Sequence, residues 1–363
     1  VRRTRGRIVD VTDADDLRAR VESGARNLSG WHLRGLDLSE HSATLERADV
    51  SGATFLGCTF AEGDADRVVG AGGIVLPRLT DTPVDIYRHE LYTAPELFDA
   101  PRWGDSLDGR TYAWSQEDDP TRRSEASLGM ALHDHAIDEA LARWREGRHL
   151  VGVMGGHQLQ RGEPRYADAA RLGALLGRDL VVATGGGPGA MEAANLGGRL
   201  SGHDDALDAA LDRLAHVPSY RPSIDAWAMS ALDVCAAHPE AARDSLGIPT
   251  WHYGHEPPNV FATAIAKYFR NATREAILLE VCDAGIVFLP GAGGTVQEIF
   301  QDACENYYAD DGAVAPMVLV GREHWTTQLP AWPLLSALAR GRSMEQHVHL
   351  VDSLEEAAEV VLS

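Results

Sequence analysis

The chain has 363 residues, 44% of them hydrophobic, enough for one large α/β domain with a sizeable core and a smaller one besides. Its 54 acidic and 33 basic residues leave a formal charge of −21, which repels polyanions and argues against a broad nucleic-acid surface despite the clustered Arg2, Arg3, Arg5 and Arg7. Four scattered cysteines, Cys58, Cys235, Cys282 and Cys304, form no CxxC pair and imply neither a disulfide framework nor a zinc ribbon.

Nothing near Val1 resembles an apolar signal core, and no stretch reaches the ~20 apolar residues of a membrane span, so a soluble cytoplasmic protein is expected. The basic tip reads as a frayed terminus. Between Leu28 and Phe60 apolar residues recur every five positions: Leu28, Leu33 and Leu38, then after a two-residue slip Leu45, Val50, Phe55 and Phe60. Small residues, Ala43, Ala48, Ala53 and Cys58, stand two places before each member of the second set. The pattern resembles a short pentapeptide-repeat β-helix occupying residues 1–64, with an irregular glycine-rich lobe as the plainer alternative. Such coils pair only with neighbours and need capped or docked ends, and no catalytic groups cluster here, so a docking or oligomerisation role is expected.

Residues 65–123 hold many prolines, glycines and aromatics without sustained periodicity and read as an arm. A helix is expected from Ser124 to Arg145 on the stripe Leu128, Leu132, Ile137, Leu141 and Trp144, with His133 and His135 as surface residues. From His149 onward strands alternate with helices. Strands are expected at 150–154, 179–183, 247–251, 285–289, 316–320 and 347–351, with a helix from Tyr166 to Leu176 and another starting at Pro188. Residues 124–363 therefore read as a Rossmann-like, doubly wound α/β domain: a parallel sheet with helices on both faces. Residues 201–243 read as a helical insertion, with Leu207, Leu211 and Leu214 on one face, then Trp227, Met229 and Leu232. It suits a lid, a dimer contact or a substrate selector.

Two glycine-rich turns follow strands in this domain. Pro290-Gly291-Ala292-Gly293-Gly294-Thr295-Val296-Gln297-Glu298 reads as strand, turn and helix start. Its glycines bring bare N–H groups close to a ligand, and the first helical turn adds partial positive charge, so phosphate suits the seat. Glu298 fits a capping box with Thr295 equally well, and spacing alone does not choose between a cap and a carboxylate facing a sugar phosphate. The other turn, Thr184-Gly185-Gly186-Gly187-Pro188-Gly189-Ala190, satisfies G-x-G-x-x-A but follows the second strand of the domain, which argues against NAD. No P-loop Gly-Lys-Ser/Thr is present. Two such loops at the carboxyl ends of parallel strands suggest a mononucleotide across the crevice; the bland alternative is that one merely closes a tight packing contact.

At these loops the sequence resembles the LOG family of phosphoribohydrolases, often mislabelled lysine decarboxylases. The family hallmark P-G-G-x-G-T-x-x-E is matched by residues 290–298 with Ala292 in place of the second glycine, and G-G-G-P-G-x-M-E-A-A-N is matched by residues 185–195. The resemblance spans roughly His149 to Val320. It implies hydrolysis of a nucleoside 5′-monophosphate to free base and ribose 5-phosphate, with no cofactor and no metal, in a homodimer. Glu298 and Arg274 would be catalytic, with Arg270 as the other arginine near the expected place and Glu275 where the family carries lysine. Gly291, Gly293, Gly294 and Thr295 would hold the phosphate, and Gly186, Gly187, Met191 and Glu192 would line the base and ribose side.

Three other readings remain. A pyridoxal-phosphate decarboxylase needs a Schiff-base lysine, and Lys267, the chain's single lysine, lies in an expected helix without a matching motif. A nucleotide sensor without catalysis is the main alternative. His252, His255 and Glu256 fall close together but match no helical metal spacing, and a rim of the nucleotide site suits them better.

Overall fold

A computed structural model describes residues 8–79, 81–117, 123–253, 256–310 and 312–363; Arg2, Arg3, Arg5, Arg7 and His255 lie outside this set. Two compact units divide the chain, one of residues 1–89 with 118–140 and one of residues 90–117 with 141–363. The stretch 65–123 is thus shared between the units.

The first unit runs β1 (Val9–Val11), α1 (Ala14–Glu22), β2 (Trp31–Arg34), β3 (Asp37–Leu38), α2 (Ser42–Glu46), β4 (Thr54–Leu56), β5 (Thr59–Phe60), α3 (Asp64–Gly70) and β6 (Ile74–Leu76). Strands β1, β2, β4 and β6 pair in that order, all parallel, and β3 pairs with β5. Val9 faces Trp31, His32 faces Thr54 and Thr54 faces Ile74, so the chain coils about every 20–22 residues. Leu28, Leu33, Leu38, Leu45, Val50 and Phe55 are all buried in its core. The repeating unit is a strand-containing coil in which α2 takes one side, absorbs the two-residue slip and turns Ala43 to solvent.

This unit also holds a dense polar cluster. Buried Arg34 donates to Asp10 (2.7 Å), Glu139 (2.6 Å) and the Tyr87 carbonyl (3.0 Å). Burial pushes the Glu139 carboxyl upward, but His32 and Arg34 prevail and hold it at about 2. His133, expected at the surface, is 0% exposed beside Asp134, and burial lowers its pKa; His135 is exposed as expected.

The second unit holds α4 (Ala94–Leu97) and α5 (Leu107–Ser115), and α6 (Arg123–Trp144) passes into it from the first. Then follow β7 (Leu150–Met154), α7 (Pro164–Leu176), β8 (Val181–Thr184), α8 (Ala190–Arg199), α9 (Asp204–Leu214), α10 (Ile224–Ala237), β9 (Ser245–Gly247) and β10 (Ala264–Ile265). The chain continues through α11 (Asn271–Glu280), β11 (Ile286–Phe288), α12 (Gly293–Tyr308), β12 (Met317–Val320), α13 (Ala331–Ala339), β13 (Val348–Val351) and α14 (Leu354–Leu362). The seven strands form one parallel sheet in the order β10-β9-β8-β7-β11-β12-β13, and the central ones are buried throughout, as a sheet covered on both faces requires.

Four local expectations change. Ala264–Phe269 is not a helix but a short edge strand and its extension, and Tyr92 exchanges two hydrogen bonds with Ile265 there (2.9 and 2.8 Å). The third strand lies at Ser245–Gly247, earlier than 247–251. Helix α8 starts at Ala190 after a Gly189 N-cap, so Pro188 precedes it. On α10, Trp227 is buried but Met229 faces solvent. Lys267 is 1% exposed at this sheet edge, paired with Asp108 and standing over the Trp251 ring at 4.9 Å. Trp251 and Trp103 each donate to the same carboxylate at 2.8 Å, and burial lowers the Lys267 pKa.

Candidate active site

Strand order locates the crevice. From β7 the chain works outward through β8, β9 and β10, then crosses back to β11 on the other side of β7 and continues to β12 and β13. The loops leaving β7 and β11 at their carboxyl ends therefore diverge, and ligands of open α/β sheets bind at such a switch point.

The loop after β11 ends at an uncapped helix start. Helix α12 begins at Gly293 with Ala292 as N-cap, and no side chain caps it. The first-turn N–H groups consequently keep their partial positive charge for a ligand. This disposes of the capping-box alternative for Glu298. A Cβ on Gly293 or Gly294 would meet nothing within 4 Å, whereas one on Gly291 would fall 2.1 Å from Thr295 Oγ1. Thr295 itself is buried at 4% exposure. Ala292 has φ −124°, outside the left-handed region, so its methyl group costs the backbone nothing.

One turn into α12 stands Glu298. Burial pushes its carboxyl up to about 7; Arg274 draws it down and Glu275 adds to the rise. Arg274 projects from α11, and its Nη1 lies 3.6 Å from where a Cβ on Gly185 would stand. Its Nε is buried and has no hydrogen-bond partner among the described residues. Arg270 is the exposed N-cap of α11, so Arg274 is the arginine whose charge acts on Glu298. Glu275 accepts from Asn271 (2.7 Å) and Gln297 (2.6 Å), tying α11 to α12.

The loop after β8 is packed instead of open. Gly186 has φ +71°, and a Cβ there would stand 2.6 Å from Pro249 Cδ and 2.9 Å from the Ile248 nitrogen. Gly185 and Gly187 both lie under Met191, at 2.8 Å from its Sδ and 2.9 Å from its Cε by the same measure. Asn259 binds the Gly186 carbonyl through its backbone (2.7 Å) and the Gly187 carbonyl and Asn195 through its side chain (3.2 and 2.9 Å). Asn195 accepts from Thr184 (2.6 Å) and donates to Ser245 (2.7 Å), clamping β8 to β9.

Glu192 does not line the crevice as expected. It is 1% exposed and paired with buried Arg161, whose Nη1 also donates to Ser230 (2.8 Å) and the Trp227 carbonyl (3.2 Å). A buried carboxylate needs such a partner, and here the pair fastens α8 to the helical insertion. Arg161 and Asn259 have no sequence signal beyond the buried polar groups they satisfy. At the rim, Glu256 lies 3.8 Å from His157 and 3.9 Å from a Cβ on Gly187, while His252 is exposed against Tyr253. No group of three or more His, Cys, Asp or Glu side chains converges to hold a metal among the described residues.

Fold and site together define a parallel, Rossmann-like α/β protein with an open glycine loop, an uncapped helix start and a raised carboxyl near its switch point. No protein-family model and no curated protein matches the chain. Among solved structures it is similar to a molybdenum cofactor binding protein from the phototrophic bacterium Rippkaea orientalis, at 18% identity over 59% of this chain and 96% of that one, with a TM-score of 0.37. The molybdenum cofactor carrier protein of Chlamydomonas reinhardtii gives the same identity, coverage and score. At these values the likenesses bear on neither ligand nor reaction.

Proposed function

We propose that this protein hydrolyses the N-glycosidic bond of a nucleoside 5′-monophosphate, releasing free base and ribose 5-phosphate. The observation that carries this reading is Arg274: its Nη1 stands beside Gly185 of the packed loop, its buried Nε has no partner among the described residues, and its charge acts on Glu298, one turn into α12. Phosphate on Gly293, Gly294 and Thr295 would direct the ribose along the first turn of α12 toward Glu298. As the glycosidic bond lengthens, its electron pair leaves with the base and positive charge develops on the ribose. Ionised Glu298 opposes that charge and takes a proton from the attacking water, while Arg274 steadies the departing base. A carboxyl near 7 suits proton transfer at neutral pH.

Incubation of the purified chain with a panel of nucleoside 5′-monophosphates, followed by chromatography for free base, tests the reading. Base release with equimolar ribose 5-phosphate is expected. Tight nucleotide binding with no released base would instead mark a sensor.

A further inference from the structure

We propose that Arg165 is a phosphate-binding residue of the same seat and that His324 is its positioning residue; this rests on the crevice reading above. Both reach the loop after β11 from its two sides. Arg165 lies in the first turn of α7, which follows β7, and its Nη2 donates to the Pro290 carbonyl at 3.3 Å. His324 follows β12, and its Nε2 lies 3.1 Å from the Gly291 carbonyl. A carbonyl only accepts, so that nitrogen carries the proton.

The sheet order gives these contacts their direction. β7 and β12 flank β11, and the crevice opens between β7 and β11. A planar trans peptide sets N–H opposite C=O, so a Gly291 carbonyl held toward the β12 side turns the Ala292 N–H toward the crevice side. His324 thereby adds a backbone donor to the uncapped start of α12. Arg165 stands on the crevice side itself, is exposed, and spends one guanidinium hydrogen on Pro290 among the described residues. The remaining donors of its fork match two oxygens of a phosphate. Two arginines would then divide the substrate, with Arg165 at the phosphate and Arg274 beside Glu298.

The test compares wild type, Arg165→Ala, Arg165→Lys, His324→Ala and His324→Gln by calorimetric binding of inorganic phosphate, a nucleoside 5′-monophosphate and the phosphate-free nucleoside. Arg165→Ala is expected to weaken the two phosphate-bearing probes at least ~10-fold and leave the nucleoside unchanged, with partial recovery in Arg165→Lys. His324→Ala is expected to raise KM for the monophosphate several-fold at nearly constant kcat, and His324→Gln, which keeps an N–H donor, to recover most of it. Unchanged phosphate affinity in Arg165→Ala overturns the proposal even where base release proceeds. Lost phosphate affinity in a chain that releases no base upholds it and overturns the glycosidase reading alone. Absence of phosphate binding in wild type overturns both.

Discussion

The loops after β8 and β11 are alike in composition and opposite in use. Residues 185–189 hold four glycines and residues 291–294 hold three, each set leaving a strand and entering a helix. A Cβ on Gly186 would fall in space already occupied by Pro249 and Ile248, and the carbonyls of Gly186 and Gly187 are bound by Asn259. Around Gly293 and Gly294 there is open space and an uncapped helix end. The first loop is a joint holding β8, β9 and α8 together; the second is left open. What separates them is the neighbour a side chain would meet, a property no glycine count contains.

The largest effect is expected at the seat's carboxylate. Glu298→Gln should lower base release by ~10³-fold while nucleotide affinity stays within about 3-fold, measured by release assay and calorimetry. In wild type, release should rise with pH through about 7 as Glu298 ionises, and this limb should vanish in the variant. Wild-type turnover in Glu298→Gln would remove the reason for calling the open loop a substrate seat.

Next comes the joint. Gly186→Ala places a Cβ in occupied space at a left-handed φ and is expected to lower Tm by about 5–10 °C, the equivalent of ~2–4 kcal/mol. A neutral outcome would break the contrast between the loops. A smaller effect belongs to Asp302, a turn beyond Glu298 on α12. It is 7% exposed, its Oδ2 lacks a partner among the described residues, and burial, aided by Glu305, raises its carboxyl to about 8. A raised carboxyl binds its proton more tightly in the folded state, so its stabilising effect is complete below about pH 4 and fades as pH rises through 8. Asp302→Asn should therefore gain a few degrees of Tm over wild type at pH 8 and little at pH 4.5, by thermal denaturation.

The smallest stability change is expected for Gly294→Ala, within ~1 kcal/mol, because the position is helical and open. Its phosphate affinity should nonetheless fall, since the added methyl group stands at the seat. Equal losses of stability in Gly186→Ala and Gly294→Ala would mean that both loops are joints.

Much of the second unit was legible because its strands are long runs of buried aliphatics and its loops carry glycine between them: residues 150–154, 286–288 and 317–320 lie where hydrophobic runs put them. β10 was not, because two residues give no period and the sequence Ala264–Phe269 favours helix until Tyr92 bridges it from far away. In the first unit the inward residues at 28, 33, 38, 45, 50 and 55 were correct, yet their five-residue spacing concealed a helix on one side of the coil. Motif and spacing singled out Glu298 and Arg274, and the fold sets the Arg274 charge against the Glu298 carboxyl. The burial of Glu192 was not legible, since its partner Arg161 is 31 positions away and is chosen by tertiary packing alone.

The chain's single lysine has a practical consequence. With Lys267 buried against Asp108 and the Trp251 ring, amine-directed reagents meet no accessible lysine ammonium on the folded surface. Acylation at Lys267 therefore becomes a clock for the opening of one sheet edge: its rate measures how often the β10 side of the second unit comes apart, separately from any event at the crevice.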